Sequence, residues 1–285
     1  MVAAPAPFAV STYSYQQGWT ARDTIARLVA RGYVEFEVMV FPGHLWPEDT
    51  DAAARRALRR FVEDRGARIV TLSIANNDIN VASAYPAVRS ASLGLLSDII
   101  RLAGDLGVPG VVIGPGKPNP LFPLPRTQLT GHLHAALDSL TGLARRAGTR
   151  LFLENMPVGF LSTAHELAAA LDAYGDDRIG FVYDIANGHY VGEDINAGLR
   201  RVAARLALVH VSDTNRKVYR HDPIGLGDID FAAIAPVLDE IGHSARPALE
   251  IISTSPDRDI DMSASRLVES GWARGARATA VPASA

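Results

Sequence analysis

The chain has 285 residues, 48% hydrophobic and 21% charged, with a formal net charge of −3, the composition of an ordinary globular protein with enough apolar residues for a large core. Slight acidity excludes a global basic field for nucleic acid or an anionic membrane, and the absence of cysteine excludes disulfides, thiolate metal ligands and a cysteine nucleophile. No run approaches about 18 apolar residues, so no transmembrane helix is expected, and MVAAPAPFAV lacks the basic and long apolar parts of a signal peptide, which leaves the cytoplasm as the default expectation.

Strand-like and helix-like segments alternate along the chain. FAVSTY (8–13) reads as a strand, residues 20–31 as an amphipathic helix and VEFEVMVF (34–41) as the second strand. A helix over 48–65 leads to RIVTLSI (68–74), and a helix over 87–107 stops at Gly107 before GVVIG (110–114). A helix over 127–147 stops at Gly148 before TRLFLEN (149–155). Ser162 is placed to cap a helix over 163–174, with Glu166 completing a loose capping box. IGFVYD (179–184), a short helix near 194–205 and LALVHVSD (206–213) follow. A loop of about 17 residues precedes a helix over 231–242, then ALEII (248–252) and a last helix over 258–271.

Eight mostly non-alternating apolar strands with helices between them predict a single (β/α)8 TIM barrel, one domain over 1–285 with its core at about 8–272. The small-residue tail RATAVPASA is expected to be disordered. An open doubly wound sheet is the alternative, but IGPGKPNP (113–120) lacks GxGxxG spacing and runs into prolines.

Four strands end on a metal-capable residue: Glu154, Asp184, His210 and Glu250. In a barrel the C-terminal strand ends converge on one rim. Any one of these side chains has a bland reading as a rim residue bonded to a loop or an arginine. Together, the carboxylates repel unless a cation lies between them. A divalent metal meets that need, as does a cluster of arginines, and the oxygen-rich set with one imidazole suits a hard ion.

LENMP (153–157), GFVYDIANGHYVGED (180–194), VHVSDTNR (209–216), HDPIGLGDIDF (221–231) and ALEI (248–251) together resemble the sugar phosphate isomerase/epimerase family, within the xylose isomerase-like barrel superfamily. GYVEFEV (32–38) resembles its second-strand signature. The resemblance implies that Glu154, Asp184, His210 and Glu250 hold one divalent metal ion, with Mn2+ the first choice ahead of Mg2+, Co2+ and Zn2+. It also implies that Glu154 and Glu250 act as acid and base on opposite faces of a polyhydroxylated small molecule. The implied reaction is metal-dependent isomerisation or epimerisation of a sugar or related carbonyl compound through an enediolate. A metal-dependent lyase of the inosose or dehydroshikimate dehydratase kind, or a C-glycoside-cleaving relative, is the alternative. An endonuclease IV-like repair enzyme and a non-catalytic binding barrel stand further back. No nucleic-acid or membrane partner is expected, and a homo-oligomer remains open.

By the same resemblance Arg216 matches a substrate-anchoring arginine; a surface ion pair is its plain reading. Asn187 stands where many relatives carry histidine, which suggests an amide for a substrate hydroxyl, and His189 is the candidate to compensate. Phe160 replaces a glutamate that contacts substrate in ketose epimerases, a departure from that subfamily. His221 opens the H-P-G-G-IDF pattern and is expected to bind substrate or order its loop. Tyr219 stands where the nuclease has a metal-binding aspartate, and SIANND and IGPGK lack its histidines. One metal is therefore expected, not three. Glu37 is expected either at the pocket floor or in an ion pair inside the barrel. His44 and Trp46 border the mouth on this reading, with Asn76 and Lys117 as polar contacts to substrate.

Overall fold

The computed structural model describes residues 5–75 and 78–272; Asn76 and the C-terminal tail lie outside the described residues. Eight parallel strands close into a barrel in chain order. They are β1 (Ala9–Ser11), β2 (Glu35–Met39), β3 (Arg68–Ser73), β4 (Gly110–Ile113), β5 (Arg150–Glu154), β6 (Gly180–Asp184), β7 (Leu206–Val211) and β8 (Ala248–Leu249). The crossover helices α1 (Ala21–Val29), α2 (Ala52–Glu63), α3 (Pro86–Leu106), α4 (Arg126–Ala147) and α5 (Ala164–Tyr174) surround the first half. Helices α6 (Ile185–Tyr190), α7 (Ile195–Val202), α8 (Phe231–Glu240) and α9 (Pro256–Glu269) surround the second. The expected barrel is thus observed. Among the described residues no helix is long and apolar enough to cross a membrane.

Period-2 alternation explains why the rim is polar and the floor apolar. Inside the barrel Ala9, Val112, Phe152, Val182, Leu208 and Ala248 form one buried layer. Phe152 fills its centre because the facing positions are glycines. A Cβ at Gly110 would come within 2.1 Å of the Phe152 ring and one at Gly180 within 2.5 Å. Two residues beyond Phe152, Val182, Leu208 and Ala248 come Glu154, Asp184, His210 and Glu250. The four candidate ligands therefore form the next layer toward the C-terminal face. Register pairs Asp184 with His210, while the stagger of the barrel sets Glu154 opposite Val182 and His210 opposite Ala248.

Differences from the sequence reading are local. Gly107 and Gly148 end α3 and α4 in the left-handed conformation, as their positions predict. The cap of α5 is Thr163 and not Ser162: its side chain accepts the Glu166 N–H, and the Glu166 carboxylate accepts the Thr163 N–H. The helix α6 was not anticipated and starts immediately after β6, with Asp184 as its N-cap. The eighth strand is shorter than 248–252. Glu250 lies just past it, although its N–H still donates to Val211 O at 3.1 Å.

Candidate metal centre

His210 is the hub of the rim. Its Nε2 lies 3.0 Å from Glu37 Oε2. Its Nδ1 lies 3.2 Å from Glu154 Oε1, 3.3 Å from Glu250 Oε2 and 3.8 Å from Asp184 Oδ2. All five side chains are buried. Glu37 adopts the second of its two expected positions, an ion pair inside the barrel, where Thr71 also donates to it at 2.9 Å.

One donor atom from each of Glu154, Asp184, His210 and Glu250 lies within 4.8 Å of all the others. Asp184 Oδ2 and Glu250 Oε2 are buried with no hydrogen-bond partner among the described residues. A buried carboxylate oxygen without a donor is costly, and a cation at that point removes the cost. Three carboxylates and one imidazole converging on such orphaned atoms fit a divalent ion with oxygen and nitrogen ligands.

Burial dominates the electrostatics. It pushes Glu154 and Glu250 above the ordinary carboxylate range against the pull of His210. Asp184 rises to about 7, burial outweighing the attraction of His221. Burial alone would lower His210, but Glu37, Glu250 and Glu154 together hold it well above the usual histidine value. Glu37 is the exception among the carboxylates. Burial raises it, yet His210 and the hydrogen bonds it receives bring it below its ordinary value.

Local hydrogen bonds lock the rim. The Asn155 side chain donates to Asp184 O at 3.0 Å and accepts the Asp184 N–H at 2.8 Å, which joins the ends of β5 and β6. Asp184 Oδ1 is occupied by the Asn187 N–H at 2.7 Å, so Oδ2 is the oxygen turned to the centre. Past β7, Asp213 accepts the N–H groups of Thr214 (2.9 Å) and Gly225 (2.7 Å) and shapes the long loop. That loop delivers Tyr219 and His221. The His221 Nδ1 lies 3.3 Å from Glu250 Oε2 and 3.0 Å from Ser212 Oγ.

Above the centre opens a cavity of about 420 Å³. Glu154, Glu250, Asn187, Tyr219 and His221 are among its polar lining residues, and Met39, Ile74, Met156, Val158 and Ile252 among its apolar ones. Such a mixture suits a molecule that carries both hydroxyls and C–H bonds. Tyr13 and Arg220 also line it. The sequence reading passed over both; their only signal was proximity to the ends of β1 and of the His221 loop.

Of the expected substrate contacts, Asn187 and His221 reach this cavity. The structure does not bring the other four to it. His44 is buried between Thr12 Oγ1 (2.9 Å) and Trp19 O (2.6 Å), where it ties the first two strand-end loops together. His189 turns to Asp228, with Nε2 2.6 Å from Oδ1. Arg216 is exposed on the loop whose Tyr219–Asp222 stretch faces the cavity. Lys117 lies beside a separate space of about 10 Å³, its backbone N–H and C=O both bonded to the Asn80 amide at 2.9 Å. Phe160 and Trp46 pack into or against the hydrophobic core.

Known proteins share this architecture. The chain is 26% identical over 224 residues to an L-ribulose 3-epimerase from Mesorhizobium japonicum, covering 77% of this chain and 72% of that one. The crystal structure of a D-tagatose 3-epimerase-like protein superposes with a TM-score of 0.79 at 21% identity, over 92% of this chain and 96% of that one. The IOLI protein, solved with a bound zinc atom, superposes with a TM-score of 0.76 at 16% identity, over 92% and 95%. Residues 25–269 match the model of one family along most of the barrel. The chain belongs to the family of xylose isomerase-like TIM barrels.

Proposed function

We propose that this protein is a divalent-metal-dependent epimerase or isomerase of a ketose or closely related polyhydroxy carbonyl compound. The observation that carries the reading is the placement of Glu154 and Glu250. Both are buried and line one cavity from the ends of non-adjacent strands, and burial raises both carboxyls above their ordinary range, the direction that suits a group exchanging protons. The kinship with an L-ribulose 3-epimerase supports it.

Glu154, Asp184, His210 and Glu250 would hold the ion, for which Mn2+ is the first choice. When bound, it would polarise a substrate carbonyl and the adjacent hydroxyl, which acidifies the C–H between them. The protein's own part follows from its residues. One of Glu154 and Glu250 removes that proton to leave an enediolate, and the other returns a proton from the opposite face. Asn187, Tyr219 and His221 meet hydroxyls along one wall, while Met39, Ile74, Met156 and Ile252 pack against C–H groups and displace water.

The test is a panel of ketoses incubated with the purified protein and Mn2+, Mg2+ or Co2+ in deuterated water. An epimer or isomer carrying deuterium at the reacting carbon is expected. A dehydrated product identifies a lyase instead, and no exchange with any sugar or inosose overturns the reading.

A further inference from the structure

The cavity wall contains a hydrogen-bond chain whose direction follows from one fixed acceptor. The Asn187 Nδ2 lies 2.9 Å from Asn155 O, a carbonyl that only accepts, and within 3.5 Å of Glu154 Oε1. The amide nitrogen therefore faces those two acceptors and Oδ1 faces the other way. Tyr219 OH lies 2.7 Å from that Oδ1 and must donate to it. With its only proton so used, the Tyr219 oxygen accepts at its next contact, His221 Nε2 at 2.8 Å. His221 then carries a proton on Nε2, while its Nδ1 lies 3.0 Å from Ser212 Oγ and 3.3 Å from Glu250 Oε2. These donors point the same way, from His221 through Tyr219 and Asn187 to Glu154.

We infer that Tyr219 is the positioning residue of this wall. It fixes the Asn187 amide with an N–H toward Glu154, fixes the His221 tautomer, and turns its remaining lone pair to a substrate hydroxyl. Ring packing holds the phenol where this is possible. Tyr190 and His221 flank it with centroids 5.2 Å and 5.3 Å away, and the residue lines the cavity. Successive donors aligned in one direction polarise one another, so the middle member matters more than its single contacts suggest. The substrate contact rests on the proposed epimerase reading; the hydrogen-bond direction does not.

The first test needs neither substrate nor variant. Full-length protein with isotope-labelled histidine, examined by long-range proton–nitrogen correlation at neutral pH, is expected to show a proton on His221 Nε2. The His221 signals are identified by their loss in His221→Gln. A ring with no proton on Nε2 overturns the inference. Tyr219→Phe keeps the ring and removes the hydroxyl. It is expected to mix the His221 tautomers and to raise KM for a ketose about tenfold, the cost of one hydrogen bond to a buried wall, while the melting temperature and the metal stoichiometry hold. A Tyr219→Phe protein with one unmixed Nε2–H tautomer overturns the positioning role. An unchanged KM overturns the substrate contact. If the wild type turns over no ketose, the epimerase reading fails and the tautomer result still decides the chain's direction.

Discussion

Glu37 stands behind His210. Its Oε2 lies 3.0 Å from the imidazole Nε2, on the side of the ring opposite the three rim carboxylates. A carboxylate in that position accepts the Nε2–H and leaves Nδ1 free to ligate a metal ion, a relationship that orients metal-binding histidines generally. Glu37→Gln keeps the shape and removes the charge. It is expected to weaken Mn2+ binding by roughly 10–100-fold, read from the free-ion electron paramagnetic resonance signal in a titration. Equal affinity in the two proteins would show that His210 needs no support from behind.

The two glutamates are expected to fail separately. Glu154→Gln and Glu250→Gln should each lower turnover by about 10²–10⁴-fold, the usual worth of a placed acid or base. Because each serves one face, the two variants should lose deuterium wash-in from different epimers of one sugar. Full exchange from both epimers in either variant would remove that residue from the proton transfers.

The metal should bind in competition with protons. Asp184 is raised to about 7, and Glu154 and Glu250 are raised by burial, so the ion-free centre keeps protons that a bound cation displaces. Affinity is therefore expected to rise with pH through about 7, with proton release measurable by calorimetry in buffers of different ionisation heat. The stability of the ion-free protein falls over the range in which metal affinity rises. A carboxyl with a raised folded pKa costs stability once the pH passes its unfolded value, and the cost grows up to the folded value. Added Mn2+ should accordingly raise the melting temperature more at pH 8 than at pH 6. Affinity independent of pH would refute the protonated cluster.

Gly227 is a sensitive point of the His221 loop. A Cβ there would fall 2.1 Å from Thr214 O and 2.3 Å from Asp213 Oδ1. Gly227→Ala is expected to cost about 1–3 kcal/mol, typical of overpacking against fixed atoms, and to raise KM by displacing Tyr219 and His221. Denaturant unfolding and ketose kinetics read the two effects. Wild-type stability would mean that the loop yields without strain.

Thr163→Ala serves as a contrast outside the cavity lining. It removes the acceptor of the Glu166 N–H in the capping box of α5 and should cost about 1 kcal/mol in denaturant unfolding. Metal affinity should not move; if it does, α5 is coupled to the rim.

Much of this architecture is local and was legible in the chain. Glu154, Asp184, His210 and Glu250 each stand two positions beyond an apolar residue of a strand, and an interval of two keeps a side chain on the same face. Gly107 and Gly148 mark helix ends because the left-handed turn there favours glycine. His189 and Arg216 were less legible. Chain distance from Asp184 or His210 says nothing of where a side chain on a turn points, and His189 finds Asp228, 39 residues away.

The order of the eight strands, the single barrel and the four metal-capable rim residues thus followed from periodicity, punctuation and residue type, all short-range properties of the polypeptide. Closure of the barrel supplied the rest. It set Glu37 of β2 against His210 of β7, 173 residues apart, and joined Asn187 to Tyr219 and His221. It also turned His44 and Lys117 away from the cavity. Such contacts depend on which strands become neighbours across the interior and on how a long loop folds back, and no repeat in the sequence encodes either.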